Sequence, residues 1–280
     1  MQQSLSDVPF VFLDTETTGL NPAFGDRIVE IALLKVRNRV IVDRFESLIN
    51  PGRPISPGAS AINGITDEMV RYSPYFTQIA DQLLSFIEDS VLVIHNARFD
   101  LGFLAAQLRF AKKDFPSNLV LDTIRLAKLV YPDLGSYSLG NLATALEISI
   151  PHLHRAMDDV EITNRIFDKI LAELENRNIK TLDELLALQG GAIPFPVVDS
   201  TLREVAEIPL PEELAEAIKH KTRLTITYIS SIGQKTSRTI EPIEVSLLSD
   251  YLYLVAFCHL RGDKRTFRLD RIIEMKKETN

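Results

Sequence analysis

Two carboxylates one residue apart are where the chemistry of this chain begins. Asp14 and Glu16 stand at the end of the apolar run Phe10-Val11-Phe12-Leu13, in the stretch FVFLDTETTGL. Strand side chains alternate faces with period two, so the pair points one way. Two like charges at the end of a buried strand are costly unless something positive neutralises them, and a divalent cation would do so. Two more segments carry residues of matching type: His95-Asn96-Ala97-Arg98-Phe99-Asp100 and His154-Arg155-Ala156-Met157-Asp158-Asp159. The candidate set is thus Asp14, Glu16, Asp100 and Asp159 with His154. It suits phosphodiester hydrolysis, which needs an activated water, a stabilised pentacoordinate phosphorus and a stabilised leaving oxygen. Two divalent cations about 3.5–4 Å apart meet all three needs. Hard cations such as Mg²⁺ take oxygen ligands, and a neutral histidine accepts the water's proton near pH 7.

Spacing constrains the third segment. His154 and Asp159 are five apart, about 140° around a helix, so they do not share a helical face. His154 is expected on a loop, with Pro151 nearby, and Asp159 in the early turns of the helix that follows. Asp158 would turn away. His95, just after a strand, is read as structural, and Asp122 as a helix cap.

The elements that must position these groups follow from pattern. After the opening strand, Arg27–Val36 and Val40–Ile49 read as strands joined by the turn Arg37-Asn38-Arg39, an antiparallel start to a mixed sheet. Asn50–Ser60, rich in Pro and Gly, reads as a loop. Thr66 starts a helix, and Ser73-Pro74 opens another through Glu88. Val91–Ile94 and Leu119–Leu121 are short strands. Phe99–Phe110, the segment after Asp122, Leu139–Leu146, Ala156–Leu174 and Thr181–Leu188 are helical. Strands mixed with helices indicate an α/β or α+β layer architecture. Pro211–His220 is a short helix. Beyond it the pattern turns to β, with strands at Leu224–Ile229, Ser237–Glu244, Tyr251–Cys258 and Thr266–Leu269, which suggest a small barrel. The domain reading is 1–189, a linker at 190–209, and 210–280.

Composition agrees with two units. The 280-residue chain is 45% hydrophobic with a net charge of −7, enough apolar material for a core and a weak argument against non-specific nucleic-acid binding. Yet His220–Asn280 holds 11 Lys+Arg against 7 Asp+Glu, a basic tail module on an acidic body. A single cysteine, Cys258, excludes an internal disulfide and suits a reducing compartment. It lies in an apolar run and is read as a core residue. No signal peptide or membrane span is read, and a cytoplasmic location is expected.

LDTETTG, HNARFD and HRAMDD together resemble the three motifs of the DEDDh exonucleases, the ribonuclease H-like family that includes the epsilon proofreading subunit of bacterial DNA polymerase III. The similarity covers roughly Pro9–Ile170. Ile62-Asn63-Gly64-Ile65-Thr66 also resembles a segment common there, although the family more often has His at the place of Asn63. The resemblance implies a ribonuclease H-like fold, a mixed sheet flanked by helices. Asp14, Glu16, Asp100 and Asp159 would hold two Mg²⁺ or Mn²⁺ ions, with Asp14 between them, and His154 would be the general base. The backbone around Thr17, Thr18 and Gly19 would face the 3′-terminal nucleotide, and a nucleoside 5′-monophosphate would leave. The expected partner is nucleic acid, DNA ahead of RNA. A polymerase or repair partner stays open.

In the tail, Arg238-Thr-Ile-Glu-Pro242, Tyr251-Leu-Tyr-Leu-Val-Ala-Phe257 and Arg265-Thr-Phe-Arg-Leu-Asp-Arg-Ile272 resemble the WYL domain, a small Sm-like or SH3-like β-barrel of bacterial regulators. The naming triplet is replaced by Leu252-Tyr253-Leu254. The resemblance implies a ligand- or nucleic-acid-sensing role. Arg265 and Arg268 with Tyr253 would offer guanidinium groups and an aromatic face to phosphates and bases; alternatively the arginines pair with Asp263, Asp270 and Glu274 on a solvated surface. Three functions follow: a DNA 3′→5′ exonuclease with a guiding or regulatory tail domain, an RNA 3′ exonuclease, and a nucleotide- or nucleic-acid-sensing regulator acting through the tail.

Overall fold

The structure is a computed structural model that describes residues 3–19, 22, 25–149, 155–195, 210–229, 234–248 and 251–277. Its chain divides into two compact units, Met1–Val198 and Asp199–Asn280. Among the described residues, no helix is long and apolar enough to cross a membrane.

The first unit runs β1 (Pro9–Thr17), β2 (Ile28–Arg37), β3 (Val40–Leu48), α1 (Pro57–Asn63), α2 (Asp67–Val70), α3 (Phe76–Ile87), β4 (Val91–Ile94), α4 (Ala97–Phe110), β5 (Val120–Asp122), α5 (Thr123–Val130), α6 (Leu139–Ala145), α7 (Ala156–Asn176) and α8 (Leu182–Leu188). Its sheet has the order β3-β2-β1-β4-β5. The β1–β2 and β2–β3 pairs are antiparallel, and β1–β4 and β4–β5 are parallel, the mixed sheet expected. The β2–β3 turn is tight because Asn38 and Arg39 both take positive φ, 49° and 60°, which matches the twist of a two-residue hairpin.

The central strand is buried on both faces, and its alternation sorts the core in two. Phe10 and Phe12 pack with α5, α6, α7 and α8 through residues such as Ala127, Leu142, Phe167 and Leu185. Val11 and Leu13 pack with α3 and α4 through Leu83, Ile87, Leu101 and Phe103. The rings of Phe10 and Phe12 both meet the edge of Phe167, at 5.2 and 5.6 Å. By parity Asp14 and Glu16 project toward the α7 side. Because β1, β4 and β5 are parallel, their carboxyl ends share one edge, and that edge carries Asp14, Glu16 and the N-terminus of α4. Ligands of open α/β sheets bind at such an edge.

Among the element boundaries that differ from the sequence reading, two lie near the site. The Pro-rich loop stops sooner, because Pro57 occupies the first turn of α1 and Ser56 caps it, its hydroxyl accepting from the Ala59 N–H at 3.1 Å. Pro is at home there, since its missing N–H would find no helical partner. Helix α4 begins two residues early, at Ala97, whose N–H is accepted by Asp122 Oδ2 at 3.0 Å. Asp122 also caps α5 through the N–H groups of Ile124 and Arg125. Beyond α8, Ile193 is buried in the α3–α4 side of the core, and Phe195 stacks on Phe115 at 6.5 Å.

The second unit holds α9 (Glu212–His220), β6 (Leu224–Ile229), β7 (Lys235–Leu248), β8 (Tyr251–Cys258), β9 (Asp263–Arg268), a 3₁₀ turn at Leu269–Arg271, and β10 (Ile272–Lys277). The strands form one antiparallel sheet in the order β10-β6-β7-β8-β9. Leu214 and Ala217 of α9 pack on Leu224, Ile226, Leu254 and Phe267, and Cys258 lies buried among them as expected. Strand β10 went unread in the sequence, because Glu274, Lys276 and Lys277 interrupt its apolar signal. Among the described residues no pairing joins β9 to β10, so the sheet is open rather than a closed barrel.

Candidate metal centre

Three of the anticipated carboxylates converge. Asp14 and Glu16 at the end of β1 and Asp159 in the first turn of α7 each offer an oxygen, all within 4.8 Å of one another. Asp159 is buried, and the other two are partly exposed. Asp159 profits from its place at the positive end of α7.

Asp100, in the first turn of α4, is buried beside the trio and held from the other face of β1. The backbone N–H and hydroxyl of Thr15 both donate to its Oδ1, at 3.0 and 2.6 Å. Asp158, next to Asp159, is only half-buried. His154 lies outside the described residues.

The charges are crowded, and neighbouring acids raise the pKa values of Asp14 and Glu16. Burial pushes Asp14 well above the ordinary carboxylate range, and Asp100, Asp159, Glu16 and Glu30 push it further. Glu16 rises to about 7, by burial first and then by Asp159, with a hydrogen bond from Asn63 holding it back. Asp100 rises to about 7 by burial, opposed by the two Thr15 hydrogen bonds. Hard oxygen donors, partly buried and mutually repelling, are the donor set that a Mg²⁺- or Mn²⁺-like ion would neutralise.

Two further residues frame the site, Asn63 from the segment singled out above and Glu30, which the sequence reading passed over. Asn63, buried at the end of α1, reaches the Thr17 carbonyl through Nδ2 at 3.4 Å and accepts from the Ile65 N–H at 3.0 Å. Glu30 on β2 is fully buried and pairs with Arg155 just ahead of α7. Its signal was a lone acid inside Ile28-Val29-Glu30-Ile31-Ala32-Leu33-Leu34, a strand otherwise apolar on both faces.

The Thr17–Gly19 backbone is tightly held. Thr18 exchanges hydrogen bonds with Arg27 in both directions, N–H to the Arg27 carbonyl at 2.8 Å and hydroxyl from the Arg27 N–H at 3.1 Å. The Ser56 N–H donates to the Thr18 carbonyl at 3.3 Å. A Cβ at Gly19 would overlap the Asp26 carboxylate, so a larger residue there requires that side chain to move. His95 Nδ1 pairs with the Thr123 hydroxyl at 2.8 Å, and burial lowers its pKa.

In the second unit, Tyr253 and Arg268 face each other across β8 and β9. Arg268 is bound in a fork to Asp270, at 2.8 and 2.6 Å. Arg265, three residues earlier, falls on the opposite face of β9, across from Ala256. The tail residues therefore do not form one cluster.

Comparison with known proteins places the first unit. Residues 11–167, more than half of the chain, match the family described as Exonuclease, and the chain belongs to that family. Residues 209–277 match the WYL domain. The DNA polymerase III subunit epsilon of Treponema pallidum is 42% identical over 173 residues, which cover 61% of this chain and 80% of that protein. The DNA polymerase III PolC-type of Caldanaerobacter subterraneus subsp. tengcongensis is 39% identical over 176 residues, 63% of this chain but only 12% of the relative. Among solved structures, Exonuclease X in complex with 5′ overhanging duplex DNA aligns at TM-score 0.52 and 29% identity, covering 65% of this chain and 99% of that one.

Proposed function

We propose that this protein is a metal-dependent 3′→5′ exonuclease that removes nucleoside 5′-monophosphates from DNA ends. The convergence of Asp14, Glu16 and Asp159, with Asp100 buried beside them, carries this reading. Asp14, Glu16, Asp100 and Asp159 would hold two Mg²⁺ or Mn²⁺ ions. When bound, these supply an activated water and positive charge at the attacked phosphorus and the leaving oxygen. His154 would take the water's proton. The pinned backbone of Thr17, Thr18 and Gly19 would seat the terminal nucleotide, and Thr15 would keep Asp100 aimed. Relatives named for DNA polymerase III, and a DNA-bound neighbour, support DNA as the substrate.

In the proposed division, residues 1–189 are the nuclease, 190–209 a linker and 210–280 a WYL-like domain. The strand order β10-β6-β7-β8-β9, with a 3₁₀ turn between the two edge strands, supports an open Sm-like or SH3-like sheet for the last. This domain would guide or regulate the nuclease through nucleic acid or a nucleotide, with Tyr253, Arg265 and Arg268 as candidate contacts. A polymerase or repair partner would be a further layer. A cytoplasmic location suits the single, buried thiol of Cys258.

The test is digestion of 3′- and 5′-labelled single-stranded DNA and RNA by the full chain. Stepwise shortening from the 3′ end of DNA, abolished by EDTA and restored by Mg²⁺ or Mn²⁺, is expected. Preferential loss of RNA would shift the substrate to RNA. EDTA-resistant cleavage, or none on either polymer, would overturn the reading.

A further inference from the structure

Asp159 has to meet two carboxylates more than 140 positions earlier in the chain, and it sits on a helix whose start has no cap of its own. Arg155, at the cap position, offers no side-chain hydrogen bond to the first turn. That role is filled from across the sheet. Oε2 of Glu30 accepts the N–H of Ala156 at 3.0 Å, one of the donors that a helix start leaves unsatisfied. The same carboxylate grips the Arg155 guanidinium: Nη2 donates to Oε1 at 2.6 Å, and Nε lies 3.1 Å from both oxygens. Arg155 in turn holds the catalytic side of the helix, its carbonyl accepting the Asp159 N–H at 3.0 Å. On the other side, Glu30 stands directly opposite Glu16 in the β1–β2 register.

We infer that Glu30 is a positioning residue which, through Arg155, registers the first turn of α7 against β1 and so sets Asp159 within reach of Asp14 and Glu16. The inference rests on the metal-site reading for its purpose, but the clamp itself is a matter of geometry. Three observations carry it. Glu30 is fully buried, and a buried carboxylate is tolerated only with partners. It gives both oxygens to one short segment of α7, and a fork-shaped pair fixes orientation as well as distance. The segment it holds ends at Asp159, with no intervening hinge.

The pair also balances charge. Glu30 adds to the field that raises the pKa values of Asp14 and Glu16, and Arg155, paired with it, carries the opposite charge. Removing either partner therefore changes both geometry and field, whereas removing both restores the net charge and leaves only the geometric loss. That difference makes the inference testable.

The experiment compares the full chain with Glu30→Gln, Arg155→Gln and the double variant. Amide hydrogen exchange reads the protection of Ala156–Val160, and the loss of free Mn²⁺ signal in electron paramagnetic resonance reads metal binding. Exchange in the first turn of α7 should quicken about fivefold, the scale of a lost helix cap. The Mn²⁺ midpoint should rise about 10–100-fold, as when groups that orient metal ligands are removed. The double variant should stay impaired in both. Recovery of the wild-type midpoint in the double variant, or unchanged protection of Ala156–Val160 in Glu30→Gln, would overturn the inference. Should the wild type bind no Mn²⁺, the metal reading falls, and the exchange arm still decides the clamp. The Arg155 side chain is 42% exposed, so Arg155→Gln carries the comparison if Glu30→Gln does not fold.

Discussion

Thr15 holds Asp100 twice, by its backbone N–H at 3.0 Å and its hydroxyl at 2.6 Å, both on the same oxygen. The pleat of β1 sorts its side chains: Asp14 and Glu16 face α7, and Thr15 between them faces α4, which carries Asp100. One strand therefore presents carboxylates to one helix and an anchor for the fourth acid to another. Oδ1 of Asp100 is committed to this anchor, which fixes where its carboxylate lies relative to the trio.

Thr15→Val keeps the shape and the backbone N–H but deletes the hydroxyl. A hydrogen bond to a charged group is worth about 1.5–3 kcal/mol, so unfolding in urea at pH 8 should show a loss of that order. Nuclear magnetic resonance titration should show the Asp100 carboxyl moved further upward, since the bond now lowers it. An unchanged midpoint and titration would mean that the contact contributes nothing.

Asp14→Asn should separate activity from stability. Groups that only orient metal ligands cost about 10–100-fold in activity when removed, and Asp14, proposed as a ligand shared by two ions, should cost more than the upper end of that range. The metal-free variant should melt at or above the wild-type temperature, because a repelling charge has gone. A calorimetric Tm well below wild type would instead assign Asp14 a structural role.

Stability should depend on pH in a direction set by the raised acids. Glu16 and Asp100 titrate near 7 in the folded protein, against about 4 in an unfolded chain. Between those values the folded state binds more protons, so metal-free stability should be greatest below about pH 4 as far as these groups decide it, and should fall as pH rises through about 7. Mg²⁺ binds the deprotonated form, so the Tm gain on adding it should grow from pH 5 to pH 8. A gain that shrinks over that interval would contradict the site.

The end of the nuclease unit is open to a direct comparison. Ile193 is 7% exposed in its core, beyond the proposed boundary at Gln189. Burying such a side chain contributes about 1.5–3 kcal/mol. A piece ending at residue 198 should therefore outlast one ending at residue 189 in denaturant, with both cleaving DNA if the tail domain only guides or regulates. Equal midpoints would assign Ile193 no part in the fold.

Much of this was legible in the sequence because it is local. Alternation along Phe10–Glu16 set the shared face of Asp14 and Glu16, and the angle between positions 154 and 159 put Asp159 early in α7. Buried runs such as Val91–Ile94 and the 3.6-residue pattern of α7 needed no partner to be recognised. Local signals misled where one residue type serves two roles: Pro57 reads as a loop former and is a helix starter. They failed in β10, whose charges hide its strand. The tail arginines were grouped by nearness in sequence, and the pleat of β9 divides Arg265 from Arg268.

By itself the sequence determined most of the element types and proposed the two-unit division and the set of acids, since each is written in spacing and composition within a few residues. Tertiary structure alone decided that Asp159 closes on Asp14 and Glu16, that Thr15 anchors Asp100 from 85 positions away, and that Glu30 caps a helix 126 positions on. Such contacts leave no periodic trace, because a hydrogen bond between distant residues constrains neither one's neighbours in the chain. What the sequence does keep is their cost: an acid buried in an apolar strand, as Glu30 is, persists only where the fold supplies its partner.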